Sequence, residues 1–140
     1  MKNNFFVIEG PDGCGKTTLI NNLKAKFQDR DDVVFCHDPG TTELGMHLRS
    51  LLKDDAYITE PLDIRTTMLL FSAVRNELST KVITPALEAG KIVICDRYLL
   101  STLVYQGVGG DLPLDEIVNI HMQMRMANPK LTFLLTANSE

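Results

Sequence analysis

GPDGCGKTT (residues 10–18) follows directly on the apolar run FFVIE (residues 5–9), and this junction decides how the rest of the sequence is interpreted. Three glycines leave little side-chain bulk between a predicted strand and the amphipathic pattern of Leu19, Leu23 and Phe27. The first eight residues match G-x-x-x-x-G-K-[ST], and a strand before with a helix after is the context that this phosphate-binding loop requires. The junction therefore predicts a nucleotide-binding site at the start of an α/β fold.

The chemistry of the loop follows from its residue types. Glycines let successive backbone N–H groups point inward as an anion nest, and the next helix aims its positive end at the same point. Lys16 adds a mobile positive charge for the outer phosphates, the Thr17 hydroxyl is placed to sit on Mg²⁺, and Thr18 is expected nearer the inner phosphates. The predicted nucleotide-binding loop comprises Gly10, Pro11, Asp12, Gly13, Cys14, Gly15, Lys16, Thr17 and Thr18.

Cys14 lies inside the loop and has two interpretations. The helix dipole and Lys16 favour a thiolate at this position. Alternatively, Cys14 is a small residue that fits the turn, which is the interpretation we favour. The loop itself serves kinases, GTPases and motor ATPases alike, so the rest of the sequence has to decide the function.

Four short apolar runs predict the strands of the fold, at residues 5–9, 32–37, 91–96 and 131–136. Each run is nearly continuous rather than alternating, which is typical of strands buried on both faces of a parallel sheet. Helical periodicities separate the runs, over about 19–27, 44–52, 62–89 (with Pro85 restarting a turn) and 114–122, the last stopped by Asn128-Pro129. We predict a three-layer α/β fold of the P-loop type, with its site just beyond the carboxyl ends of the strands.

Composition narrows the possible partners. The 140 residues carry a formal net charge of −4 and are 44% hydrophobic, which is enough for one domain spanning residues 1–140. The mild acidity argues against a nucleic-acid surface, and no apolar run approaches the roughly 18 residues of a membrane helix. Cys14, Cys36 and Cys95 lack metal-ligand spacing, so we interpret them as free thiols of a cytoplasmic protein.

A second group of candidate residues follows the second and third predicted strands. In CHDPGTT (36–42), Pro39 and the glycine after it force a turn at the strand end. In CDRYLLST (95–102), Asp96 stands where phosphate-loop enzymes keep a metal-organising carboxylate, and Arg97 offers a bidentate fork for a phosphate.

A possible base platform lies in LLFSAVR (69–75), which places Phe71 and Arg75 one turn apart on a helix face. A flat ring and a guanidinium on one face could stack on a base and hydrogen-bond its edge. The alternatives are core packing for Phe71, which we favour for an isolated phenylalanine, and a solvated helix face for Arg75.

Taken together, these segments resemble the thymidylate kinase family, whose members move the γ-phosphoryl group of ATP to dTMP. FFVIEGPDGCGKTTL is similar to the family's first strand and phosphate loop, and DPGTT is similar to its Glu-Pro-Gly-Gly-Thr turn. The further matching segments are LRSLL (48–52), LLFSAVR, DRY (96–98) and STLVYQG (101–107), in the family's order. The ordered run makes the resemblance specific. It implies ATP as co-substrate, Mg²⁺ as metal, dTMP as acceptor and a homodimer.

The resemblance also implies roles for individual residues. Phe71 would stack on thymine, Arg75 would hydrogen-bond its edge, and Arg97 would grip the monophosphate. Tyr105 would crowd the sugar 2′ position and so favour deoxyribose. The other implied acceptor contacts are Asp12 (at the 3′-hydroxyl or the metal region), Pro39, Arg49, Ser101, Thr102 and Gln106. The implied catalytic residues are Lys16, Arg97 and Asp12, and the implied Mg²⁺ residues are Thr17, Glu9 and Asp96.

Several features depart from the family's pattern. Asp38 replaces a usual Glu, Thr41 replaces the second Gly of the turn, and Thr136 stands where an Asp is usual. The phosphate loop has no arginine among its variable residues, and family members of that kind supply positive charge from a mobile lid after the fourth strand. Because the sequence ends at Glu140, we expect the lid, a last strand and a last helix to be missing, and the chain to be a poor or inactive kinase.

Two other functions remain open from the sequence. A related P-loop kinase could phosphorylate a deoxynucleoside or another monophosphate such as dUMP, and a nucleotide-binding module without catalysis would carry the same loop. A nucleoside acceptor has no phosphate for Arg97 to hold, so Arg97 distinguishes the kinases. A GTPase is disfavoured because the sequence contains no N-K-x-D base-reading motif.

Overall fold

The computed structural model describes residues 3–53 and 58–136. In chain order its elements are β1 (Phe5–Glu9), α1 (Lys16–Lys26), β2 (Val33–His37), α2 (Glu43–Lys53), α3 (Ile64–Leu78), α4 (Thr84–Glu88), β3 (Ile92–Asp96), α5 (Leu99–Thr102), α6 (Leu114–Gln123) and β4 (Leu131–Leu134). Two π-helical segments, Ser79–Ile83 and Leu103–Val108, join α3 to α4 and extend α5. None of the described helices combines the length and the apolar character that crossing a membrane requires.

The four strands are parallel and lie in the order β2-β3-β1-β4. Their register pairs Asp96 of β3 with Ile8 of β1 on one side and with His37 of β2 on the other. The carboxyl ends of three strands therefore meet at one edge of the sheet. The loops that follow residues 9, 37 and 96 begin side by side there, where an open parallel sheet binds its ligands.

The two faces of the sheet carry separate cores, which confirms the predicted three-layer arrangement. Phe5 and Val7 of β1 are buried against α3, the first π-helical segment and α4. Ile8, which points to the opposite face, packs with Ile20 of α1. Burying an apolar side chain of this size contributes about 1.5–3 kcal/mol. The alternation along β1 thus holds helices on both sides and fixes the strand ends relative to α1.

Helical backbone runs without interruption from Ile64 to Glu88, whereas the sequence predicts a turn that restarts at Pro85. Pro85 has no N–H to offer the carbonyl four residues earlier, and the wider π-helical turn at Ser79–Ile83 accommodates that loss without ending the helix. The wide turn also buries Ser79, whose Oγ accepts the N–H of Ala127 at 2.7 Å.

The prediction that every strand is buried on both faces is wrong for β4. All four of its residues are exposed, and among the described strands β4 pairs only with β1 at the edge of the sheet. Phe133 and Leu134 border an apolar cavity of about 630 Å³ between the sheet and α1. The apolar run therefore predicts that β4 forms a strand, but the burial of β4 depends on its position in the sheet.

The last helix, α6, ends at Gln123 and not at the predicted Asn128-Pro129 stop. Met124 is its C-cap, and Arg125 then adopts a left-handed φ of 53°. A left-handed residue just past the cap is a common way for a helix to end, even when it is not glycine.

His121 on α6 provides a pH-dependent contribution to stability. It is buried, its Nε2 lies 3.1 Å from Asn128 Oδ1, and its Nδ1 has no hydrogen-bond partner within residues 3–53 and 58–136. Burial lowers the pKa of His121 below its usual 6.5, so the unfolded chain binds more protons under mildly acidic conditions. We expect the melting temperature to fall between pH 7.5 and pH 5.5, and His121→Gln to reduce that fall. An equal fall in the variant would contradict the assignment to His121.

Candidate active site

The predicted phosphate loop connects β1 to α1. Gly13 and Gly15 have φ values of 80° and 87°, a left-handed backbone that glycine adopts without strain. Gly15 is the N-cap of α1, and its carbonyl accepts the N–H of Leu19 at 3.0 Å. The loop thus turns straight into the N-terminus of α1, where unpaired N–H groups and the helix dipole favour an anion. The exposed loop positions are Pro11, Asp12, Gly13, Gly15, Thr17 and Thr18.

Cys14 fills space inside this loop. A Cβ added at the buried Gly10 would lie 2.7 Å from the Cys14 Sγ, so the two residues are packed as closely as a glycine allows. This contact supports the interpretation of Cys14 as a small residue that fits the turn.

Lys16 and Asp96 form the polar centre beside the loop. Lys16 is 8% exposed, and its Nζ lies 3.6 Å from Asp96 Oδ1. That oxygen accepts no hydrogen bond from any described residue. The Asp96 side chain as a whole is 28% exposed beside the loop. One carboxylate and one hydroxyl are enough for Mg²⁺ when nucleotide phosphates and water supply its other oxygen ligands. The described residues contain no group of three or more His, Cys, Asp or Glu arranged to hold a metal ion.

Glu9, the remaining residue predicted for Mg²⁺, is engaged elsewhere. Its carboxylate is buried and accepts the N–H of Tyr98 at 2.8 Å, the N–H of Ser101 at 3.2 Å and the hydroxyl of Ser101 at 2.8 Å. Its two oxygens offer about four lone-pair sites, and these three hydrogen bonds use most of them. The contacts favour a role in holding residues 98–101, the N-cap and first turn of α5, called the 98–101 turn below.

A cavity of about 410 Å³ opens beside the phosphate loop. It lies between the strand ends, α2, α3 and the helix that begins with α5. All ten residues predicted for the acceptor border it: Asp12, Pro39, Arg49, Phe71, Arg75, Arg97, Ser101, Thr102, Tyr105 and Gln106. Residues from five separate segments of the sequence are thus brought together around one space.

Arg97 projects from the end of β3 toward this cavity. Its φ of 65° is left-handed, an uncommon conformation for a residue with a side chain. The guanidinium lies 2.6 Å from Asp12 Oδ1 and 3.3 Å from the Ser101 Oγ, and its Cζ is 5.9 Å from the centre of the Tyr105 ring. Asp12 is 91% exposed at its side chain, so an incoming anion can compete with it for the guanidinium.

Arg75 is buried, which excludes the solvated helix face considered from the sequence. Its Nε donates to Asp38 Oδ2 at 2.6 Å and its Nη2 donates to the Thr102 hydroxyl at 2.7 Å. Burial raises the pKa of Asp38, and the Arg75 guanidinium opposes that rise. Arg75 Nη1 and Asp38 Oδ1 have no hydrogen-bond partners in the described part of the chain. Both of these atoms are buried, although the two residues themselves border the cavity.

Phe71 and Tyr105 are the two aromatic residues of the cavity wall. Phe71 is half-buried and belongs to none of the three core clusters formed by the described residues. Tyr105 is half-exposed, and its ring lies beside the Arg97 guanidinium. A ring that faces a cavity is available for stacking, so the geometry favours the base platform over core packing for Phe71.

Two residues of the wall were not predicted as site residues. Asp38 was noted only as a departure in the turn, and its position directly after a strand end was the signal that could have identified it. Leu52 on α2 also borders the cavity. Its helical periodicity looks like that of any packing leucine, so the sequence offered no signal for it.

Comparison with known proteins gives consistent results. A model of the thymidylate kinase family matches residues 8–140. The chain is 39% identical over 142 residues to the thymidylate kinase of Caldicellulosiruptor saccharolyticus, and 42% identical over 122 residues to that of Geobacillus sp. strain WCH70. It superposes on 74% of the crystal structure of thymidylate kinase from Ehrlichia chaffeensis with a TM-score of 0.85, at 33% identity and over 99% of its own length.

The matches differ in how much of each relative they cover. They include 100% and 86% of this chain, but 68% and 57% of the Caldicellulosiruptor and Geobacillus proteins. The chain thus spans a little over half to two thirds of the length of these relatives. The family match extends over nearly the whole chain, and the solved relative shares its fold. The chain belongs to the thymidylate kinase family.

Proposed function

We propose that this chain binds ATP at the phosphate loop and dTMP in the adjoining cavity, and that it serves transfer of the γ-phosphoryl group to give dTDP. The observation that carries the proposal is the cavity of about 410 Å³, whose wall includes Asp12 of the loop and Arg97 of the third strand end. A donor anion at the N-terminus of α1 and an acceptor anion at Arg97 would lie at the same sheet edge.

The chain's own residues would act by positioning and charge. Lys16 and the N–H groups of the loop hold the donor phosphates, and Arg97 holds the acceptor monophosphate so that one of its oxygens faces the γ-phosphorus. Mg²⁺, held by Thr17 and Asp96, would supply neutralising charge to the donor phosphates. The buried environment of Lys16 strengthens its interaction with phosphate because little water screens it.

Selectivity for the acceptor would come from the far wall of the cavity. Phe71 offers a flat face for a base, and Arg75, which also borders the cavity, would hydrogen-bond a carbonyl oxygen on the base edge. Thymine and uracil both carry such an oxygen, whereas cytosine presents an amino group there. Tyr105 would crowd a ribose 2′-hydroxyl.

Replacement of Arg97 tests this assignment. We expect Arg97→Ala to weaken dTMP binding about tenfold or more, and thymidine binding by less than about twofold, because thymidine has no phosphate. The measurement is calorimetric titration of each ligand.

Arg125→Ala is the matched control for that experiment. Arg125 also has a left-handed φ, of 53°, and it is exposed and does not border the cavity. Equal losses for both ligands in Arg97→Ala would contradict a phosphate-binding role and favour a nucleoside acceptor. ATP-dependent formation of dTDP, followed by chromatography, then separates a kinase from a non-catalytic binding module.

We also propose that the protein acts as a homodimer in the cytoplasm. The exposed apolar side chains on α2 and α3, Leu44, Met46 and Leu69, support self-association. The free thiols Cys14, Cys36 and Cys95 support a reducing compartment. Sedimentation analysis over a range of protein concentrations tests the dimer.

A further inference from the structure

Glu9 connects the end of β1 to the 98–101 turn, which follows Arg97 directly. It is the last residue of β1, and only 2% of it is exposed. Its Oε1 accepts the N–H groups of Tyr98 and Ser101, and its Oε2 accepts the Ser101 hydroxyl. A single buried carboxylate thus satisfies three donors that are about 90 residues away in sequence.

The helix that begins with α5 needs this carboxylate because it has no cap of its own. Its N-cap is Tyr98, whose side chain caps no N–H among the described residues and whose hydroxyl instead donates to the carbonyl of Ala127. The first N–H groups of a helix lack intrahelical partners, and a negative charge near them is favourable. Glu9 supplies both the acceptor atoms and the charge from a neighbouring strand.

The same contacts bear on Arg97, which lies between β3 and this helix. Its N–H donates to the carbonyl of Ile8 at 3.0 Å, so its backbone is bonded to the residue before Glu9. Its Nη1 lies 3.3 Å from the Ser101 Oγ, the hydroxyl that donates to Glu9. The N–H of Arg97 and the N–H of Tyr98, the next residue, both donate to the end of β1, and these two contacts hold the left-handed φ of Arg97.

We infer that Glu9 is a positioning residue that holds Arg97, through Ser101 and the 98–101 turn, in the orientation that receives the acceptor phosphate. The inference rests on the proposed function, since it assumes that Arg97 binds that phosphate. Glu9 has no contact with the cavity of about 410 Å³, so it acts through Arg97 and not on the ligand.

The test compares ligands with and without a phosphate in the absence of metal. Glu9→Gln keeps the shape of the side chain and removes its charge. We expect it to weaken dTMP binding about five- to twentyfold in EDTA, and to leave thymidine binding within about twofold. Ser101→Ala keeps the Glu9 charge, removes the hydroxyl that links Glu9 to Arg97, and should weaken dTMP binding about threefold. Glu116→Gln, on α6 and paired with the exposed Arg65, is the control and should change neither affinity.

A double variant identifies the route of the effect. In the Arg97→Ala background, Glu9→Gln should cause no further loss of dTMP affinity, because the residue that it positions is gone. An equal additional loss would overturn the inference, as would parallel losses for dTMP and thymidine, or an effect that appears only when Mg²⁺ is present. If Glu9→Gln lowers the melting temperature strongly, Ser101→Ala replaces it in the same comparison of dTMP and thymidine affinities, alone and in the Arg97→Ala background. Failure of the unsubstituted chain to prefer dTMP over thymidine would instead overturn the proposed function.

Discussion

Replacing Asp38 with alanine is expected to lower the free energy of unfolding by about 3–5 kcal/mol, because it leaves a buried guanidinium without its counter-charge. Arg75 and Asp38 are each 2% exposed at their side chains, with 2.6 Å between Nε and Oδ2. Thr102 cannot compensate, since its hydroxyl bonds a different nitrogen of Arg75 and carries no charge. Urea unfolding of the unsubstituted chain and of the variant measures the difference. The slope of the unfolding free energy against urea concentration should be equal in the two proteins.

Asp32→Ala is the matched control for this prediction. Asp32 also pairs with an arginine, Arg30, but both side chains are close to half exposed. Water screens such a pair and solvates the partner that remains, so we expect little change in the unfolding midpoint. A change in Asp38→Ala that is no larger than the change in Asp32→Ala would show that burial of the Arg75 pair has no energetic consequence.

Replacing Lys16 with alanine is expected to weaken ATP binding roughly 10- to 100-fold, the loss that accompanies removal of a hydrogen bond to a charged group. Lys16 begins α1 beside the loop, and its ammonium group lies 3.6 Å from Asp96 Oδ1. Without it, the donor phosphates would face the Asp96 carboxylate with no positive side chain of the loop between them. Titration with a fluorescent ATP analogue in the presence of Mg²⁺ measures the affinity.

Lys24→Ala serves as the control on the same helix. Lys24 is exposed and lies over the Phe35 ring, on a different part of α1 from the phosphate loop. We expect its ATP affinity to stay within about twofold of the unsubstituted chain. Similar losses in both variants would mean that general electrostatic attraction, and not the phosphate loop, holds the nucleotide.

The sequence allowed the fold to be predicted because the signals for it are local. The strand-loop-helix pattern from Phe5 to Phe27 lies within one stretch of chain, and the structure places β1, the loop and α1 there. Continuous apolar runs separated by helical periodicities are likewise local, and they predicted a parallel sheet with helices on both faces. Boundaries were less predictable. The left-handed Arg125 ends α6 early, and a π-helical turn carries the chain through Pro85.

The part of the candidate site that follows directly after the strands was predictable from the sequence. Arg97 and Asp96 follow one strand and Asp38 follows another, and parallel strands bring such positions to one edge. The partners of these residues were not predictable. Arg75 bonds Asp38 and Thr102, which lie 37 and 27 residues away in the sequence. Neither separation corresponds to the repeat of a helix or a strand, so no sequence pattern predicts these contacts.

The sequence by itself determined that this chain forms an α/β protein with a phosphate loop, because backbone propensity, apolar periodicity and glycine positions act over a few residues. The thymidylate kinase family was suggested separately, by the resemblance of its ordered motifs. Only the tertiary structure decided that Arg75 is a buried ion-pair partner, that Glu9 holds the 98–101 turn and that β4 is exposed. Burial and hydrogen-bond partners depend on which distant segments become neighbours in the sheet. The free energy of a buried charge is set by those neighbours and not by the residues adjacent to it in sequence.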